Sequence, residues 1–389
     1  MPSFIVSTET VYGWGCAAEV GPRAEQAGYR RALLVTDRGV RAAGLTAAVE
    51  DSLRGADVAF AVFDAVSPNP RDTEAEACLA AIVSTDADLL VAVGGGSVID
   101  CAKAAGVLRA NGGRMRDWSL IVGGQQPPQR CVPLYALPTT TGTGSETSGG
   151  AVITFDFAGG APRKGGVGNC QPALAFLDPA LVVGLPAAVL AASGLDALTH
   201  ATESYVSLHA SLHTRAFSAQ AIRTLAPALP AAVEAARTPG ADRRATMETM
   251  LYAANIAGRA MLGRLGQVHA LSHVVSAHYD TPHGYTNAIL LTSVLAHHQG
   301  ALRPLLAEIG YLMGDPNCAP GTDEFAAGRA IDGIARLREV VGAPARLRDL
   351  GVPRDALPRL AADATLPEPS QNPGPATEAD YLAIYERAW

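Results

Sequence analysis

The sequence lacks any long run of basic residues, although its 389 residues include 30 lysines and arginines. Its formal net charge at pH 7 is −7. Proteins that bind nucleic acid or anionic membranes usually concentrate positive charge in one segment or on one face. The sequence therefore disfavours both partners, and we expect a small-molecule ligand.

Long apolar runs are also missing. No window reaches the roughly 18 to 20 uninterrupted apolar residues that a membrane-spanning helix needs. The first residues, MPSFIVSTETVYGWG, lack the basic start and apolar stretch of a secretory signal. We therefore expect a soluble protein with a cytoplasmic location.

Closely spaced cysteines are absent as well, because the six cysteines form no CxxC pair. Disulfide frameworks and structural zinc sites usually depend on such spacing. We interpret the cysteines as reduced packing residues: Cys16, Cys78, Cys101, Cys131, Cys170 and Cys318.

Short apolar runs alternate with helix-like segments from residue 30 onwards. Strands that recur between helical patterns of ten or more residues predict βαβ units, a parallel sheet and right-handed crossovers. The N-terminal half is therefore predicted to be α/β and Rossmann-like. The predicted strands are 32–36, 57–63, 88–93 and 132–138, and the helical segments are 40–56, 71–86 and 98–111.

The pattern changes after Pro186, where segments rich in alanine and leucine have a helical period and β-branched runs stop. Prolines and a glycine interrupt both patterns near 180–187. Because single cores rarely exceed about 250 to 300 residues, two domains are expected. We predict a dinucleotide-binding α/β domain over 1–184 and an all-α metal-binding and substrate domain over 185–389.

The segment AVGGGSVIDCAK (92–103) follows a predicted strand and opens a helix. Glycines at such a turn let backbone N–H groups approach a ligand, which suits a phosphate. Ile99 stands where the third glycine of GxGxxG would be, so the usual Rossmann fingerprint is absent. A tight turn without a ligand is the alternative interpretation.

A second strand-end loop, LPTTTGTGSETS (137–148), is rich in hydroxyl and amide donors, and SPNP (67–70) follows another strand. Ligands of open parallel sheets bind beyond the carboxyl ends of the strands. Together the loops favour nucleotide binding. The candidate cofactor contacts in them are Asn69, Gly95, Gly96, Ser97, Asp100, Thr139, Thr140, Thr143 and Ser145.

Asp37 ends the first predicted strand, in VTDRG (35–39). A carboxylate there can accept hydrogen bonds from an adenosine ribose and repel a 2′-phosphate, which would favour NAD over NADP. The competing role is the N-cap of the next helix. We favour the ribose role.

All nine histidines lie between residues 200 and 298. Imidazole is a ligand of zinc and iron, so this clustering predicts a metal site. Asp196 and His200 are four residues apart and share a helix face with Glu203, and His269 and His273 have the same spacing. His283 lies in a turn between TP and Gly. A carboxylate and imidazoles on two segments fit Zn²⁺ or Fe²⁺.

These motifs resemble those of the iron-containing (group III) alcohol dehydrogenases. GGGSVIDCAK resembles the family's GGGSxxDxAK signature, PTTTGTGSETS its PTTxGTGSE loop, and DALTHATE its DxxxHxxE helix. VHALSH and TPHG are similar to its paired histidine motifs. The resemblance covers nearly the whole chain, and it implies the dehydroquinate synthase-like fold of these enzymes.

The resemblance also implies roles for individual residues. Asp196, His200, His269 and His283 match metal ligands, and His273 matches a non-ligand histidine near the nicotinamide. Lys164 would be a cofactor contact, although its segment is shorter than usual before Pro172. We interpret His278 as packing or pocket wall. The histidines that match no motif position are His209, His213, His297 and His298.

The implied activity is reversible hydride transfer between NAD(H) and an aldehyde or primary alcohol, with Fe²⁺ as the metal and Zn²⁺ as the alternative. A homodimer or higher homo-oligomer is expected. Two rivals share the fold. A maleylacetate reductase-like, metal-independent enzyme would lack the ligand aspartate, so Asp196 argues against it. The PTTTGTGSE and TPHG motifs do not favour a dehydroquinate-synthase-like lyase.

Two arginines occur just before His269, in AGRAMLGRLGQVH (257–269), where the family usually has small apolar residues. On a regular helix Arg259 would lie nearer the metal face than Arg264. An arginine there could hold an anionic aldehyde, such as phosphonoacetaldehyde or succinic semialdehyde, by a bidentate pair. A surface salt bridge is the alternative role of Arg259.

Overall fold

The computed structural model describes residues 8–157, 161–318, 323–366 and 370–389. Residues 1–7, on which part of the expectation about a secretory signal depends, lie outside these ranges. The chain forms two compact units, which divide between Gly184 and Leu185. Within the described residues, no helix is both long enough and apolar enough to cross a bilayer.

The first unit contains a six-stranded sheet in the order β1-β8-β5-β4-β2-β3, in which every neighbouring pair is parallel. A second sheet is the antiparallel pair β6-β7. The strands are β1 (Glu9–Tyr12), β2 (Arg31–Val35), β3 (Ala59–Phe63), β4 (Leu89–Gly94), β5 (Leu134–Pro138), β6 (Ala151–Phe155), β7 (Arg163–Val167) and β8 (Leu174–Leu177).

Helices cover both faces of the parallel sheet. Along β4, Leu89, Val91 and Val93 pack into one hydrophobic cluster, whereas Leu90 and Ala92 pack into another. A central strand buried on both faces reads as a continuous apolar run, and this explains the sequence of β4. The helices are α1 (Val20–Gln26), α2 (Arg38–Ala42), α3 (Ala47–Gly55), α4 (Asp72–Thr85) and α5 (Gly96–Asn111).

The predicted parallel α/β fold is confirmed, with two local corrections. The single helical segment expected over 40–56 is two helices, because the chain turns at Gly44, whose φ is +73°. The hairpin β6-β7 was not predicted. Its second strand, RKGGV, carries two glycines and has little of the β-branched character that marks a strand.

The described residues of the second unit form helices and no strands, as predicted. The long helix α6 packs against α7, α8 and α10. The helices are α6 (Ala187–Val206), α7 (Leu212–Arg237), α8 (Arg244–Ala260), α9 (Gln267–Tyr279), α10 (His283–His297), α11 (Gln299–Leu312), α12 (Asp323–Val340), α13 (Leu357–Asp363) and α14 (Glu378–Ala388).

Candidate metal centre and nucleotide-binding loops

Four predicted metal ligands converge in the second unit from three helices. Asp196 and His200 lie one turn apart on α6, His269 lies in the first turn of α9, and His283 is the first residue of α10. Asp196 Oδ1 is 3.7 Å from His200 Nε2 and 3.9 Å from Nε2 of both His269 and His283. The structure therefore brings together all four residues.

The donor set fits a divalent transition metal. Metal–ligand bonds of about 2.0 to 2.2 Å separate neighbouring ligand atoms by roughly 3 to 4 Å. The ligand atoms of Asp196, His200 and His269 lie within 4.8 Å of one another, and these three side chains are buried. Asn287 Nδ2 lies 2.8 Å from Asp196 Oδ1 and 3.0 Å from Nε2 of both His269 and His283. Asp196 Oδ1 and the two imidazole Nε2 atoms therefore converge on one small region beside the Asn287 amide, and such electron-pair donors favour a cation there.

Glu203, one turn after His200 on α6, fixes the orientation of His269. Its Oε2 lies 2.5 Å from His269 Nδ1, and its Oε1 accepts hydrogen bonds from the backbone N–H groups of Gly266 and Val268. A proton on Nδ1 leaves the Nε2 lone pair for a metal. Burial lowers the pKa of His269, but the carboxylates of Glu203 and Asp196 outweigh it, so the pKa is raised.

The spacing of Glu203 places it on the helix face of Asp196 and His200 but does not by itself indicate its role. The signal that could have identified it is the third member of the Asp196, His200, Glu203 ladder. Metal-bound histidines usually donate their second ring N–H to a carboxylate or carbonyl. A carboxylate on the same helix as two ligands is therefore a candidate to accept the second ring N–H of a ligand histidine.

A Glu203→Gln variant should bind metal about 10 to 100 times more weakly, because an amide orients His269 less strongly than a carboxylate does. Competition with a fluorescent chelator measures this affinity directly. A Glu234→Gln variant, altered at a carboxylate on α7 outside the ligand cluster, serves as the matched control. Unchanged metal affinity in Glu203→Gln would show that Glu203 does not support the site.

His283 lies on the more open side of the cluster. Its side chain is 28% exposed, compared with 6% for the side chain of His269. Its Nδ1 is 3.2 Å from Ser272 Oγ, so a serine hydroxyl partners this ring in the way that Glu203 partners His269. A substrate oxygen would therefore reach the site most easily from the side of His283.

His273 lies beside the ligand cluster. Its ring stacks on His283, with centroids 5.2 Å apart, and meets His269 edge-on at 5.9 Å. The helical spacing of four residues places His273 one turn from His269 on the same side of α9. It is half-buried. The position suits a group that exchanges protons next to the site.

The remaining histidines interact elsewhere. His278 Nε2 lies 2.9 Å from Asp363 Oδ2. His297 Nε2 lies 3.5 Å from Asp380 Oδ1, and His298 Nε2 is hydrogen-bonded to Gln267 Oε1. Burial lowers the pKa of His298. His209, just before α7, and His213, in its first turn, are both exposed.

In the first unit, the glycine turn and the threonine-rich loop lie against each other. Gly94 and Pro138 are register partners at the ends of β4 and β5. A Cβ at Gly96 would approach Thr143 Cγ2 to 2.8 Å. The N-cap of α5 is Gly95, which has no side chain to accept hydrogen bonds from the first N–H groups of the helix, so these groups can face a ligand.

Several predicted cofactor contacts also interact with one another. Thr140 Oγ1 is buried and has no hydrogen-bond partner within the described ranges, which leaves it available to a ligand. Ser145 Oγ donates to Asp100 Oδ1 at 2.5 Å. Lys164 Nζ donates to Asn69 Oδ1 at 2.6 Å. Gly95 and Ser97 follow the end of β4, and Thr139 follows the end of β5.

Asp37 forms the N-cap of α2, since its Oδ1 accepts a hydrogen bond from Val40 N at 2.8 Å. The competing role considered for this residue is therefore present. A carboxylate can accept several hydrogen bonds, and the ribose role stays a prediction.

The regular helix assumed for 257–269 is wrong. Helix α8 ends at Ala260, a short 3-10 turn follows, Arg264 has a φ of +63°, and α9 begins only at Gln267. Helical phase therefore says nothing about Arg259 relative to His269. Arg259 is half-buried, and its Nε donates to Asn255 Oδ1 at 3.2 Å.

Comparison with known proteins gives matches over nearly the whole chain. The family model for iron-containing alcohol dehydrogenase matches residues 7–179, and the C-terminal model of the Fe-containing alcohol dehydrogenase family matches 190–389. An NAD-dependent methanol dehydrogenase from Bacillus methanolicus is 36% identical over 390 residues, covering 100% of both chains.

Two solved structures show similar folds. A 1,3-propanediol oxidoreductase superposes with a TM-score of 0.91 at 35% identity, covering 100% of both chains. A sulfoacetaldehyde reductase from Bifidobacterium kashiwanohense, in complex with NAD⁺, has a TM-score of 0.85 at 26% identity. It covers 100% of this chain and 98% of its own. The chain therefore belongs to the iron-containing alcohol dehydrogenases, a family of oxidoreductases.

Proposed function

We propose that this protein transfers hydride reversibly between NAD(H) and a small aldehyde or primary alcohol in a metal-dependent reaction. The observation that carries the proposal is the convergence of Asp196, His200, His269 and His283. Glu203 Oε2 lies within hydrogen-bonding distance of His269 Nδ1, which supports the tautomer that leaves Nε2 for a metal. An aspartate and three imidazoles accept either Fe²⁺ or Zn²⁺.

The four ligands and His273 would have different roles in the reaction. The four ligands would hold the ion, which when bound acts as a Lewis acid on the carbonyl oxygen of the substrate. Three of them are buried, so the charge that develops on that oxygen is stabilised in a region of low dielectric constant. His273 would hold or release the proton that the alcohol oxygen gains or loses.

The cofactor role of the first unit is part of the same proposal. The free N–H groups at the start of α5 and the buried hydroxyl of Thr140 support a phosphate site at Gly95, Gly96 and Ser97. Lys164 and Asn69 would contact the cofactor as a pair. Asp37 would accept hydrogen bonds from the ribose hydroxyls and would disfavour NADP by repelling its 2′-phosphate.

Two rival activities predict different chemistry. A metal-independent maleylacetate reductase-like enzyme would not need the buried Asp196 in the cluster. A dehydroquinate-synthase-like lyase would use NAD only transiently. Anaerobically purified protein should consume NADH in proportion to added aldehyde across a series from formaldehyde to butanal. If no aldehyde in the series causes net NADH oxidation, the proposed reaction is wrong.

An anionic aldehyde is the finer form of the proposal, with Arg259 as the group that holds it. The sulfoacetaldehyde reductase among the similar structures is named for such a substrate. Arg259 is half-buried and oriented by Asn255, which suits a fixed guanidinium better than a mobile surface charge.

Steady-state kinetics test the role of Arg259. An anionic aldehyde should exceed its uncharged analogue in kcat/KM by about tenfold or more, the value of one charged hydrogen-bonded pair. Arg259→Ala should remove that preference, and the exposed neighbour Arg264, changed to Gln, should not. Equal losses on both substrates in Arg259→Ala would make Arg259 structural.

The assembly and location of the protein also remain predictions. We propose a cytoplasmic homodimer or higher homo-oligomer whose partners are its small-molecule substrates. Light scattering coupled to size-exclusion chromatography measures the mass of the assembly. A monomeric mass near 40.0 kDa at micromolar concentration would contradict the oligomer.

A further inference from the structure

Lys103 is one of only two lysines in the sequence, the other being Lys164. It is completely buried in the middle of α5. Its ammonium donates to three backbone carbonyl oxygens of the following loop: Ser145 O at 2.6 Å, Gly150 O at 2.7 Å and Ser148 O at 2.9 Å. Ser148 Oγ lies 3.1 Å from the same Nζ. An ammonium has three N–H donors, so the loop satisfies all of them.

Asp100, one turn earlier on α5, holds the same loop. Its Oδ1 accepts a hydrogen bond from Ser145 Oγ at 2.5 Å, and its Oδ2 accepts one from Val152 N at 2.9 Å. Burial raises the pKa of Asp100, and the ammonium of Lys103 opposes this shift. The ammonium of Lys103 is buried, the carboxylate of Asp100 is half-buried, and both are hydrogen-bonded to the loop.

The loop held in this way, residues 139–150, connects β5 to β6 without regular secondary structure. Ordered loops of this length are usually functional. In a trans peptide the C=O and the next N–H point in opposite directions. Carbonyls turned inward to Lys103 therefore turn the N–H groups of Glu146 and Gly149 away from it.

The other end of the loop lies on the glycine turn. Gly96 is so close to Thr143 that a Cβ could not be added without a shift, and Gly95 lies near Thr140. A displacement of residues 145–150 would therefore carry the threonine side chains away from the start of α5. The hydrogen bonds of Lys103 and Asp100 thus hold one end of the loop, while its threonines lie at the glycine turn.

We propose that Lys103 and Asp100 are positioning residues, which shape loop 139–150 for the nucleotide without contacting it. The inference rests on the proposed cofactor role of this loop. It also gives Asp100 an indirect role in place of the direct contact expected from the sequence. Lys164, the only other lysine, is the natural comparison because its proposed role is direct.

The two lysines can be compared as Lys103→Met and Lys164→Met variants. Lys103→Met should raise the Kd for NADH by about 10 to 100 times, the value of losing hydrogen bonds to a charged group. It should also speed hydrogen exchange of the amides in 139–152, measured by mass spectrometry. Lys164→Met should weaken NADH binding and leave that exchange unchanged.

Turnover at saturating NADH separates positioning from chemistry. Lys103→Met should change kcat by less than about threefold, because a loosened loop affects cofactor binding more than the hydride transfer of bound cofactor. Weaker NADH binding with unchanged loop exchange would make Lys103 a direct contact. Faster exchange with an unchanged Kd would mean that the loop does not receive the cofactor. Either result overturns the inference.

Removing one member of a buried charged pair can unfold a protein, since it leaves the other charge uncompensated. The double variant Asp100→Asn/Lys103→Met removes both charges and should show the same loosened loop. The parent protein offers a further test. Labelled with ¹⁵N-lysine, it should show two side-chain ammonium signals, of which NADH shifts that of Lys164 and leaves that of Lys103.

A larger shift of the Lys103 signal than of the Lys164 signal would also overturn the inference. Fluorescence titration of the parent with NADH distinguishes this failure from failure of the proposed function. If the parent does not bind NADH, the proposed function is wrong, whatever the loop does. If it binds NADH but Lys103→Met does not change hydrogen exchange in the loop, only the positioning role is wrong.

Discussion

A His283→Ala variant is expected to lose its bound metal and to reduce kcat/KM for aldehyde reduction by about a thousandfold. The Lewis-acid contribution of a metal is worth several kcal/mol, and each 1.4 kcal/mol corresponds to about a factor of ten. His283 is a cleaner choice than His269. Removing His269 would take away the imidazole partner of the buried Glu203 carboxylate and would destabilise the fold as well.

His297 provides the matched control, because it is the last residue of the helix on which His283 is the first. His297→Ala should keep both metal and activity. Metal content by mass spectrometry and thermal unfolding should be measured on the same preparations. Full metal retention in a folded His283→Ala protein would remove His283 from the ligand set.

A His273→Ala variant should behave differently, keeping its metal while kcat falls about 100 to 10,000 times. Its ring lies against His283 and His269, but the proposed role is proton transfer and not coordination. The pH dependence of kcat should change in shape, because the group that exchanges the proton has been replaced by solvent.

Two results would contradict this role for His273. If metal is lost together with activity, His273 belongs to the coordination shell. If the rate falls but the pH profile keeps its shape, His273 acts only by packing against His283. A His273→Gln variant retains hydrogen-bonding capacity without the ability to titrate, and so separates the two effects.

The fold could be predicted largely because hydrophobic periodicity reports burial on one or both faces. The run LLVAV in β4 is apolar throughout because both faces of that strand are covered. The proximity of Asp196 to His200, and of His269 to His273, could be predicted because residues four apart share a helix face. What spacing alone could not show is that α6, α9 and α10 bring their histidines to one point, which depends on tertiary packing.

Two of the wrong predictions share a physical cause, which is backbone geometry that an apolar pattern does not reveal. Arg264 adopts a positive φ, which is uncommon for a non-glycine residue, and this breaks the helix assumed before His269. Gly44 divides a segment whose apolar pattern resembles one helix. The burial of Lys103 was equally hidden, because lysine is almost never fully buried unless its ammonium is paired.

The most direct test of the central claim is reconstitution of the parent protein with metal. The protein is stripped with a chelator under anaerobic conditions, then Fe²⁺ or Zn²⁺ is returned while bound metal and aldehyde-dependent NADH oxidation are measured together. Activity should rise in proportion to bound metal and saturate at about one ion per chain, as expected for a single four-ligand site. A stripped protein that keeps its full rate of NADH oxidation without bound metal would contradict the account.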